Sequence, residues 1–590
     1  MQLHAKIKLH IATYLLKNNC TILEEEVLLT PTRNEFEGDI TCVVFQFSKL
    51  MKQKPESVAK SIGEYLVDAI DELESFTVIQ GFLNLTLKDE FWLAQFETIS
   101  AATNFGQLPK QEATIMIEYC GPNTNKPLHL GHLRNVVLGF SMIRIKEAAG
   151  YKVIKANIIN DRGVHICKSM YAWMHYGNGE TPENTGIKGD HLVGKYYVLF
   201  DKKLKEEMAD LIAKGSDKET AKKKSTLLLA IQNMLNDWEM GDAEVLSVWK
   251  MMNSWVLKGF EETYKNIGIH FDVSYFESEN YLFGKQLIEE GLQQGIFFKK
   301  DNNSIWVDLT AEKLDEKLLL RGDGTSVYIT QDIGVAVKRF DDYAALKGIT
   351  YTVGNEQEYH FKVLKNVLKK MGKPYWEGIY HLSYGMVNLP EGKMKSREGT
   401  VVDADDLLMQ MKNDVVEMMQ NAGKSTDWGQ EALIEISRIV SLGALKYFLL
   451  KVKSTKNIVF NPAESIDLQG NTGPFIQYSY ARTRSILRKQ NVNEKLEISQ
   501  RTLTPTEREL LVVLCEFENQ ITLASNENDP AHIANYAYSI ARNFNKFYQE
   551  ESIINAPDNK KMFRLQLTQL ASKVLSKSLY LLGIEAPEKM

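Results

Sequence analysis

Two histidines three residues apart are the first side chains in this sequence whose spacing suggests chemistry. They stand in His129-Leu-Gly-His132, after a loop of turn-forming residues at 121–127. Residues i and i+3 share one face of a helix, and the amino terminus of a helix attracts anions. Two imidazoles at such a terminus would donate hydrogen bonds to phosphate oxygens as charge develops on them. Gly131 lacks a Cβ, which leaves room for a purine or a ribose against the backbone.

A phosphate site at this turn competes with two other interpretations, incidental surface histidines and half of a metal site. Zinc is disfavoured because no further ligands stand at metal spacing and no HExxH motif occurs, so we predict no metal site. Two common nucleotide signatures are absent as well. The first βα turn has no GxGxxG, and Gly423-Lys-Ser425 has Met418 where a P-loop needs its first glycine.

A second basic motif, Glu391-Gly-Lys-Met-Lys-Ser-Arg397, follows an apolar segment. Its cations, Lys393, Lys395 and Arg397, would close over a triphosphate and neutralise a departing pyrophosphate. Taken alone, the motif would suit an exposed basic turn. Its position after the histidine motif, on what we predict to be a parallel sheet, favours the phosphate role.

These motifs need a frame that holds them together. A strand pattern at residues 114–119, the loop and a helix pattern from 129 to about 149 form the opening of a doubly wound α/β domain. Such domains bind ligands at the carboxyl ends of their parallel strands. Further strand patterns occur at residues 153–159, 351–354 and 384–387.

We predict a multidomain α/β protein with three parts. Residues 1–108 form a small α+β domain, in which residues 45–66 carry apolar positions at helical spacing. Residues 109–402 form a Rossmann-like catalytic domain with a parallel sheet and a charged helical insertion near 185–265. Residues 403–590 show helical periodicity without a convincing strand, so we expect an all-helical domain there.

Composition excludes several classes of protein. The chain has 590 residues, and 70 basic against 76 acidic residues give a net charge of −6. It is therefore not basic throughout, and any nucleic-acid contact must come from a local patch. The five cysteines include no CxxC pair, which fits a reducing cytoplasm. No apolar run suits a secretory signal or a bilayer span, so we expect a cytoplasmic protein with no membrane partner.

With these motifs in hand, the sequence resembles the class I aminoacyl-tRNA synthetases, whose signatures are HIGH and KMSK, and among them the arginyl-tRNA synthetase family. The likeness spans essentially the whole chain. The segments that carry it are residues 117–134, 160–163, 327–332, 354–361, 443–447 and 477–487, with Glu37-Gly-Asp39 and Gly81-Phe-Leu-Asn84 near the amino terminus. It implies an additional amino-terminal domain that contacts the tRNA core and a DALR-type anticodon-binding domain.

The resemblance also implies the residues that handle ATP. Catalytic roles fall to His129, Gly131, His132, Lys126, Lys393 and Lys395, and further ATP contacts to Pro122, Asn123, Met394 and Ser396. The second signature departs from the family pattern, because Lys393-Met-Lys-Ser396 has a lysine at the usual serine position. In arginyl enzymes with such a signature, a lysine just before HIGH is thought to supply the missing charge, which here is Lys126. Which of these lysines contacts which phosphate stays open.

A guanidinium is a planar fork of donors that prefers carboxylates. The resemblance places Tyr328, Asp332 and Glu277 around it. Tyr328 and Asp332 stand four residues apart, so on a helix they can face one ligand. The ammonium and carboxylate ends of the amino acid would contact Glu118, Asn123 and Gln357. Considered without the resemblance, each of these acids would also suit a surface or capping position.

A basic cluster without an intervening acid follows in the tail. Arg482, Arg484 and Arg488 accompany Tyr478, a combination that suits phosphate contacts and stacking on the bases of a tRNA loop. A solvated helix face would look the same, and the resemblance to the anticodon-binding domain favours tRNA.

The implied activity is that of an arginine–tRNA ligase. L-arginine would attack the α-phosphate of ATP, with Mg²⁺ brought by ATP, and the arginyl group would pass to the terminal ribose of tRNA(Arg). The family further implies a monomer and a first step that needs tRNA. Rival hypotheses are another class I synthetase (glutaminyl, cysteinyl or lysyl), a small nucleotidyltransferase and an RNA-binding paralogue without catalysis. The first must explain the Tyr328/Asp332 pair, and the second has no need of a long helical tail.

Overall fold

The structure, a computed structural model, describes residues 2–32, 35–388, 390, 402–421, 429–489 and 502–590. The chain forms two compact units. The first comprises Met1–Phe105, Ile486–Glu516 and Arg542–Ala571, and the second comprises Gly106–Ser485, Phe517–Ala541 and Ser572–Met590. None of the described helices combines the length and the apolarity that crossing a bilayer requires.

The amino-terminal part of the first unit is an antiparallel sheet covered by helices, with strand order β1-β2-β4-β3. Its elements are α1 (Gln2–Lys17), β1 (Leu29–Pro31), β2 (Ile40–Val43), α2 (Phe45–Met51), α3 (Pro55–Ala69), β3 (Leu73–Ile79), β4 (Phe82–Leu87) and α4 (Asp89–Ala101). The helical pattern at 45–66 is interrupted, because Lys52 adopts a left-handed conformation with φ 53°. Pro55 then opens a new helix, a position that proline tolerates.

Asp39, part of a motif that the sequence marked only by resemblance, joins this sheet to a distant helix of the same unit. Arg508, in the helix Pro505–Cys515, donates to both carboxylate oxygens of Asp39 at 3.0 and 2.7 Å. The backbone N–H of Leu87 donates to the same carboxylate at 2.7 Å. A two-pronged, mostly buried contact of this kind fixes both partners, so Asp39 has a clear structural role.

The second unit is built on a parallel sheet of five strands in the order β12-β11-β5-β6-β7. From β5 the chain adds β6 and β7 towards one edge of the sheet, and it then adds β11 and β12 towards the opposite edge. The boundary between β5 and β11 is therefore the topological switch point, where such sheets bind ligands. The strands of this unit are β5 (Thr114–Glu118), β6 (Lys152–Ile159), β7 (Val273–Phe276), β8 (Phe298–Lys299), β9 (Ile305–Val307), β10 (Lys317–Leu320), β11 (Leu346–Gly354), β12 (Ile379–Tyr384), β13 (Val387–Asn388) and β14 (Ile458–Val459).

The Rossmann-like fold class is confirmed, and three details differ from the sequence analysis. The pattern at 384–387 spans the end of β12 and the start of β13 instead of forming one strand. The sequence analysis did not find the small antiparallel sheet β10-β9-β8, whose strands are too short to show a periodicity. In the described part of the tail the elements are helices apart from the two-residue strand β14, which pairs with β13.

The helices from residue 130 onward complete the architecture. They are α5 (Leu130–Ala148), α6 (Val164–Tyr176), α7 (Pro182–Thr185), α8 (Gly189–Ala213), α9 (Lys218–Lys224), α10 (Thr226–Met240), α11 (Ala243–Asn266), α12 (Glu277–Gln293), α13 (Tyr328–Asp342), α14 (Glu358–Lys370), α15 (Ala404–Asn421), α16 (Gln430–Leu450), α17 (Pro462–Ser465), α18 (Gly473–Arg488), α19 (Pro505–Cys515), α20 (Phe517–Glu527), α21 (Ala531–Glu550) and α22 (Asp558–Leu581). Helices α7 to α11 fill the stretch where the charge pattern predicts a helical insertion.

Helices α12 and α13 approach each other unusually closely. A Cβ added to Gly284 would lie 2.1 Å from the carbonyl oxygen of Thr330, and one added to Gly334 would lie 2.6 Å from the backbone nitrogen of Gly284. Only glycine permits this distance. Because α12 begins at Glu277 and α13 begins at Tyr328, the close packing brings the starts of both helices to the same edge of the sheet.

Candidate active site

A cavity of about 970 Å³ opens at the carboxyl edge of the parallel sheet, at the switch point. Nine of the residues that the sequence analysis assigned to ATP or arginine line it: Glu118, Asn123, Gly131, His129, His132, Glu277, Tyr328, Asp332 and Gln357. Pro122 and Lys126 do not line it. Lys393, Met394, Lys395, Ser396 and Arg397 lie outside the described residues.

The two histidines form a compact pair at the start of α5. His129 is the N-cap, and its Nδ1 accepts the backbone N–H of Gly131 at 3.1 Å. His132 Nδ1 accepts the backbone N–H of His129, also at 3.1 Å. The ring centroids are 3.8 Å apart. A Cβ at Gly131 would lie 3.0 Å from the His129 ring, so this glycine makes room for the capping imidazole itself.

These contacts fix the protonation of both rings. An Nδ1 that accepts a hydrogen bond carries no proton, so each neutral imidazole bears its proton on Nε2. Burial lowers the pKa of His129 to about 4, and the charge of Lys126 lowers it further in the same direction. Burial, with His129 and Lys126 next, also lowers the pKa of His132 well below its usual range. At neutral pH the pair is therefore two Nε2–H donors at the wall of the cavity.

Lys126 and Pro122 support this turn from outside the cavity. Lys126 is close enough to act electrostatically on both imidazoles. The carbonyl of Pro122 accepts the backbone N–H of Asn160 at 3.0 Å. Asn123 forms an isolated parallel bridge with Asn160, so the loops that follow β5 and β6 are tied together where they reach the cavity.

The described residues that flank the second signature also reach this turn. Met386, Val387 and Asn388 line the cavity. On the carboxyl-terminal side of the signature, the carbonyl of Val402 accepts the backbone N–H of Leu130 at 3.3 Å, and Asp403 forms an isolated antiparallel bridge with His129. Both ends of the segment that carries the lysines therefore stand beside the histidine turn.

Two residues of α5 that the sequence analysis did not assign hold the surrounding backbone. The buried guanidinium of Arg134 donates to the carbonyls of Gly385 at 2.6 Å and Ser454 at 3.0 Å, among others. Asn135 Nδ2 donates to the carbonyl of Thr352 at 2.6 Å. Their partners lie more than two hundred residues away, so the only sequence signal was their place next to the histidine motif.

The first cavity acid, Glu118, already has a guanidinium partner. Arg339, fully buried in α13, donates from Nη2 to Glu118 Oε2. Burial raises the pKa of Glu118, and the charge of Arg339 opposes that rise. The Arg339 guanidinium also lies over the rings of Tyr275 and Tyr351, with distances to the ring centroids of 4.7 and 5.5 Å. The sequence analysis did not identify Arg339.

Three further acids line the cavity, Asp332, Glu277 and the exposed Glu356. Among the described residues, neither Asp332 nor Glu277 forms an ion pair with a lysine or an arginine. Asp332 Oδ2 contacts His360 Nε2 at 2.5 Å. Burial raises the pKa of Glu277, while the charge of Arg162 opposes this. Arg162 also lines the cavity and is ion-paired with Glu239.

Further groups extend this part of the cavity. Tyr328 is 81% exposed at the first position of α13, and Gln357 stands exposed at the junction of β11 and α14. This part of the wall combines the carboxylates of Asp332 and Glu277 with a phenol and an amide, which are groups that can accept the N–H donors of a cation.

One group of metal-ligating side chains occurs among the described residues, Asp190, His191 and Asp405. The ammonium of Lys188 contacts the carboxylates of Asp190 and Asp405 at 3.2 and 2.6 Å. A cation therefore already stands between these acids, and the cluster ties the insertion to the start of α15.

The four residues assigned to tRNA all lie on α18. Arg482 covers the ring of Tyr478 with its guanidinium carbon 4.9 Å from the ring centroid. Arg484 is paired with Glu588 at 2.8 Å, and Arg488 is exposed. Because residues two apart on a helix do not face the same way, Arg482 and Arg484 belong to different sides of α18. The acid that partners Arg484 comes from the carboxyl terminus, which a local charge count does not reveal.

Comparison with known proteins agrees with this geometry. Residues 97–462 match the family described as tRNA synthetases class I (R), catalytic domain. Residues 476–590 match the DALR anticodon binding domain, and residues 2–87 match the arginyl tRNA synthetase N terminal domain. The switch-point cavity, the histidine turn and these matches define a class I aminoacyl-tRNA synthetase.

Comparison with curated relatives indicates which family of class I synthetases the chain belongs to. The chain is 51% identical over 579 residues to the arginine–tRNA ligase of Bacteroides thetaiotaomicron and 48% identical over 579 residues to that of Flavobacterium psychrophilum, with 96% of each chain covered in both cases. Within the class I enzymes, the chain belongs to the arginyl-tRNA synthetase family. The Thermus thermophilus arginyl-tRNA synthetase structure shares the fold across the full length of both chains, with a TM-score of 0.80 at 24% identity.

Proposed function

We propose that this protein activates L-arginine with ATP and transfers the arginyl group to tRNA(Arg). The observation that carries the proposal is that one cavity holds both a pair of imidazole N–H donors and the carboxylates of Glu277 and Asp332, which among the described residues form no ion pair with a lysine or an arginine. Membership of the arginyl-tRNA synthetase family supports it, because the curated relatives are arginine–tRNA ligases.

In the first step the arginine carboxylate attacks the α-phosphate of ATP, and pyrophosphate leaves. No side-chain nucleophile is needed, since alignment of two bound reactants and stabilisation of phosphate charge account for catalysis. Nε2 of His129 and of His132 would donate to phosphate oxygens, because both rings are neutral with Nδ1 already occupied. Lys126, Lys393 and Lys395 would supply positive charge, and Mg²⁺ enters bound to ATP.

The carboxylates that line the cavity would select arginine among the amino acids. Glu118 already pairs with Arg339, so the guanidinium of the substrate would go to Glu277 and Asp332, with Tyr328 at its edge. Asn123, Gln357 and the remaining acceptor capacity of Glu118 would hold the ammonium and carboxylate ends. A ligand without a guanidinium would leave these half-buried acids without a cation, which is a basis for rejection without editing.

In the second step the arginyl group would pass to the 2′-hydroxyl of the terminal ribose of tRNA. Anticodon recognition would fall to the DALR-type domain, in which Tyr478, Arg482, Arg484 and Arg488 are the proposed contacts. We expect a cytoplasmic monomer whose adenylation step depends on tRNA.

Amino-acid-dependent ATP–pyrophosphate exchange tests the proposal. The full-length protein is assayed with each of the twenty amino acids, with and without total tRNA. Exchange with arginine alone is expected, followed by formation of alkali-labile arginyl-tRNA. Exchange driven by a different amino acid overturns the arginine assignment, and no exchange under any condition favours an RNA-binding protein without catalysis.

A further inference from the structure

His360 stands at the amino-terminal end of α14, three residues after Gln357, and shares the cavity wall with Asp332 of α13. Its Nε2 lies 2.5 Å from Asp332 Oδ2, and the two side chains are 23% and 36% exposed. Among the described residues, no donor other than His360 contacts the Asp332 carboxylate. One oxygen of Asp332 is therefore held by the protein, and Oδ1 remains for a ligand.

Glu118 and Asp332, two acids of the cavity, are held by partners of different chemical character. Glu118 is held by a guanidinium that is always charged. Asp332 is held by an imidazole, which can donate one hydrogen bond while remaining neutral. A permanent cation cancels the charge of its carboxylate, whereas a neutral donor orients the carboxylate and leaves the negative charge available. Asp332 is thus suited to bind a cation, and Glu118 much less so.

Orientation matters because the terminal torsion of an aspartate is soft. A carboxylate free to rotate would offer a guanidinium several pairings. With one acceptor site of Oδ2 taken by His360, Oδ1 is the more open oxygen of Asp332 for a planar guanidinium, whose other N–H groups can turn towards Glu277 in the same cavity. The geometry therefore favours a fork shared between two acids over one bidentate pair.

We propose that His360 is a specificity-determining positioning residue, which holds Asp332 by a hydrogen bond from Nε2 so that its free oxygen receives the guanidinium of arginine. This inference rests on the proposed function. Its failure is distinguishable from failure of that function, because the unmodified protein must first show arginine-dependent exchange.

The test compares three variants of the full-length protein in exchange assays with tRNA present. His360→Ala removes the donor, and the KM for arginine is expected to rise about tenfold or more, as for loss of a hydrogen bond to a charged group. The KM for ATP and kcat should change about twofold at most. His360→Gln keeps a neutral donor near the position of Nε2 and should restore most of the affinity for arginine. His360→Lys adds a permanent cation and should weaken arginine binding at least as much as alanine does.

A matched control is His532→Ala, which removes a histidine–carboxylate contact of 2.9 Å with Glu527 outside the cavity and should leave both KM values unchanged. The proposal is overturned if His360→Ala leaves the KM for arginine within about twofold of the unmodified value. Equal KM values for His360→Gln and His360→Lys overturn it as well. The comparison of His360→Gln with His360→Lys still tests the proposal if the alanine variant does not fold, because glutamine and lysine both keep a long polar side chain at this position.

Discussion

Glu118 and Arg339 form an ion pair at the wall of the cavity, with 9% of the glutamate side chain and none of the arginine side chain exposed. The enzyme thus carries an arginine of its own inside the site that we propose for arginine. We propose that this pair decides the orientation of the ligand, because the acid nearest the end of β5 already has a guanidinium partner, whereas among the described residues Glu277 and Asp332 form no ion pair with a lysine or an arginine.

Replacing Arg339 by methionine tests the structural importance of this pair. Removing one member of a buried ion pair leaves the other charge without compensation, so we expect a loss of about 3–5 kcal/mol in the free energy of unfolding of the unit that contains it. The double variant Arg339→Met with Glu118→Gln should recover part of that loss. Urea-induced unfolding followed by tryptophan fluorescence measures both, and a loss below about 1 kcal/mol in the single variant would contradict the pair's assigned role.

Replacing Asp332 by asparagine tests the guanidinium site. The amide keeps the shape but removes the charge, so the KM for arginine should rise by about tenfold or more while the KM for ATP stays nearly constant. Asp341→Asn, an exposed position on the same helix outside the cavity, is the control. Equal increases in both KM values would show that Asp332 does not select the amino acid.

Replacing His132 by alanine tests the phosphate site. Loss of one donor to the developing phosphate charge should lower the adenylation rate about 10²- to 10³-fold. Arginine affinity, measured by equilibrium dialysis, should change little. His175→Ala, in α6 and outside the cavity, should have no effect on either quantity. A variant with a normal adenylation rate and weakened arginine binding would show that His132 does not act on the phosphate.

The lowered pKa of His129 predicts a pH dependence of stability. An unfolded histidine titrates near pH 6.5, whereas burial brings the pKa of His129 to about 4 in the folded protein. Between these values the unfolded chain binds a proton that the folded chain does not, so the contribution of His129 to stability falls as the pH drops from about 6.5 to 4.

The comparison with His129→Gln isolates this contribution. The difference in melting temperature between the unmodified protein and the variant should be largest above about pH 6.5 and should shrink on acidification. Thermal unfolding followed by circular dichroism from pH 7.5 to 4.5 measures it. A difference that grows as the pH falls would mean that the folded protein prefers the imidazolium.

Local sequence patterns were enough to predict part of the fold and part of the candidate site. His129 and His132 lie within one helical turn after a strand, so their position beside the cavity followed from spacing and the known behaviour of parallel sheets. The family resemblance assigned Tyr328 and Asp332 to the ligand, and their four-residue separation on a helix agrees with that assignment. The strand at β5 and the helix α5 were evident from apolar periodicity.

Contacts between residues distant in the sequence were not accessible in this way. Arg339 lies 221 positions from Glu118, and the carbonyl of Gly385 lies 251 positions from Arg134. Nothing in the local sequence indicates which acid such an arginine will meet. The role of the glycines at positions 284 and 334 could not be predicted from local sequence either, because it depends on the close approach of two helices. The short strands β8 to β10 lack the length that a periodicity needs.

The most direct test of the central claim is a crystal structure of the full-length protein with a non-hydrolysable arginyl-adenylate analogue. The account predicts the phosphate mimic within hydrogen-bond distance of Nε2 of His129 and His132, and the guanidinium between Glu277 and Asp332 with Oδ1 of Asp332 as one acceptor. An analogue bound away from the histidine turn, or a guanidinium placed against Glu118, would contradict it.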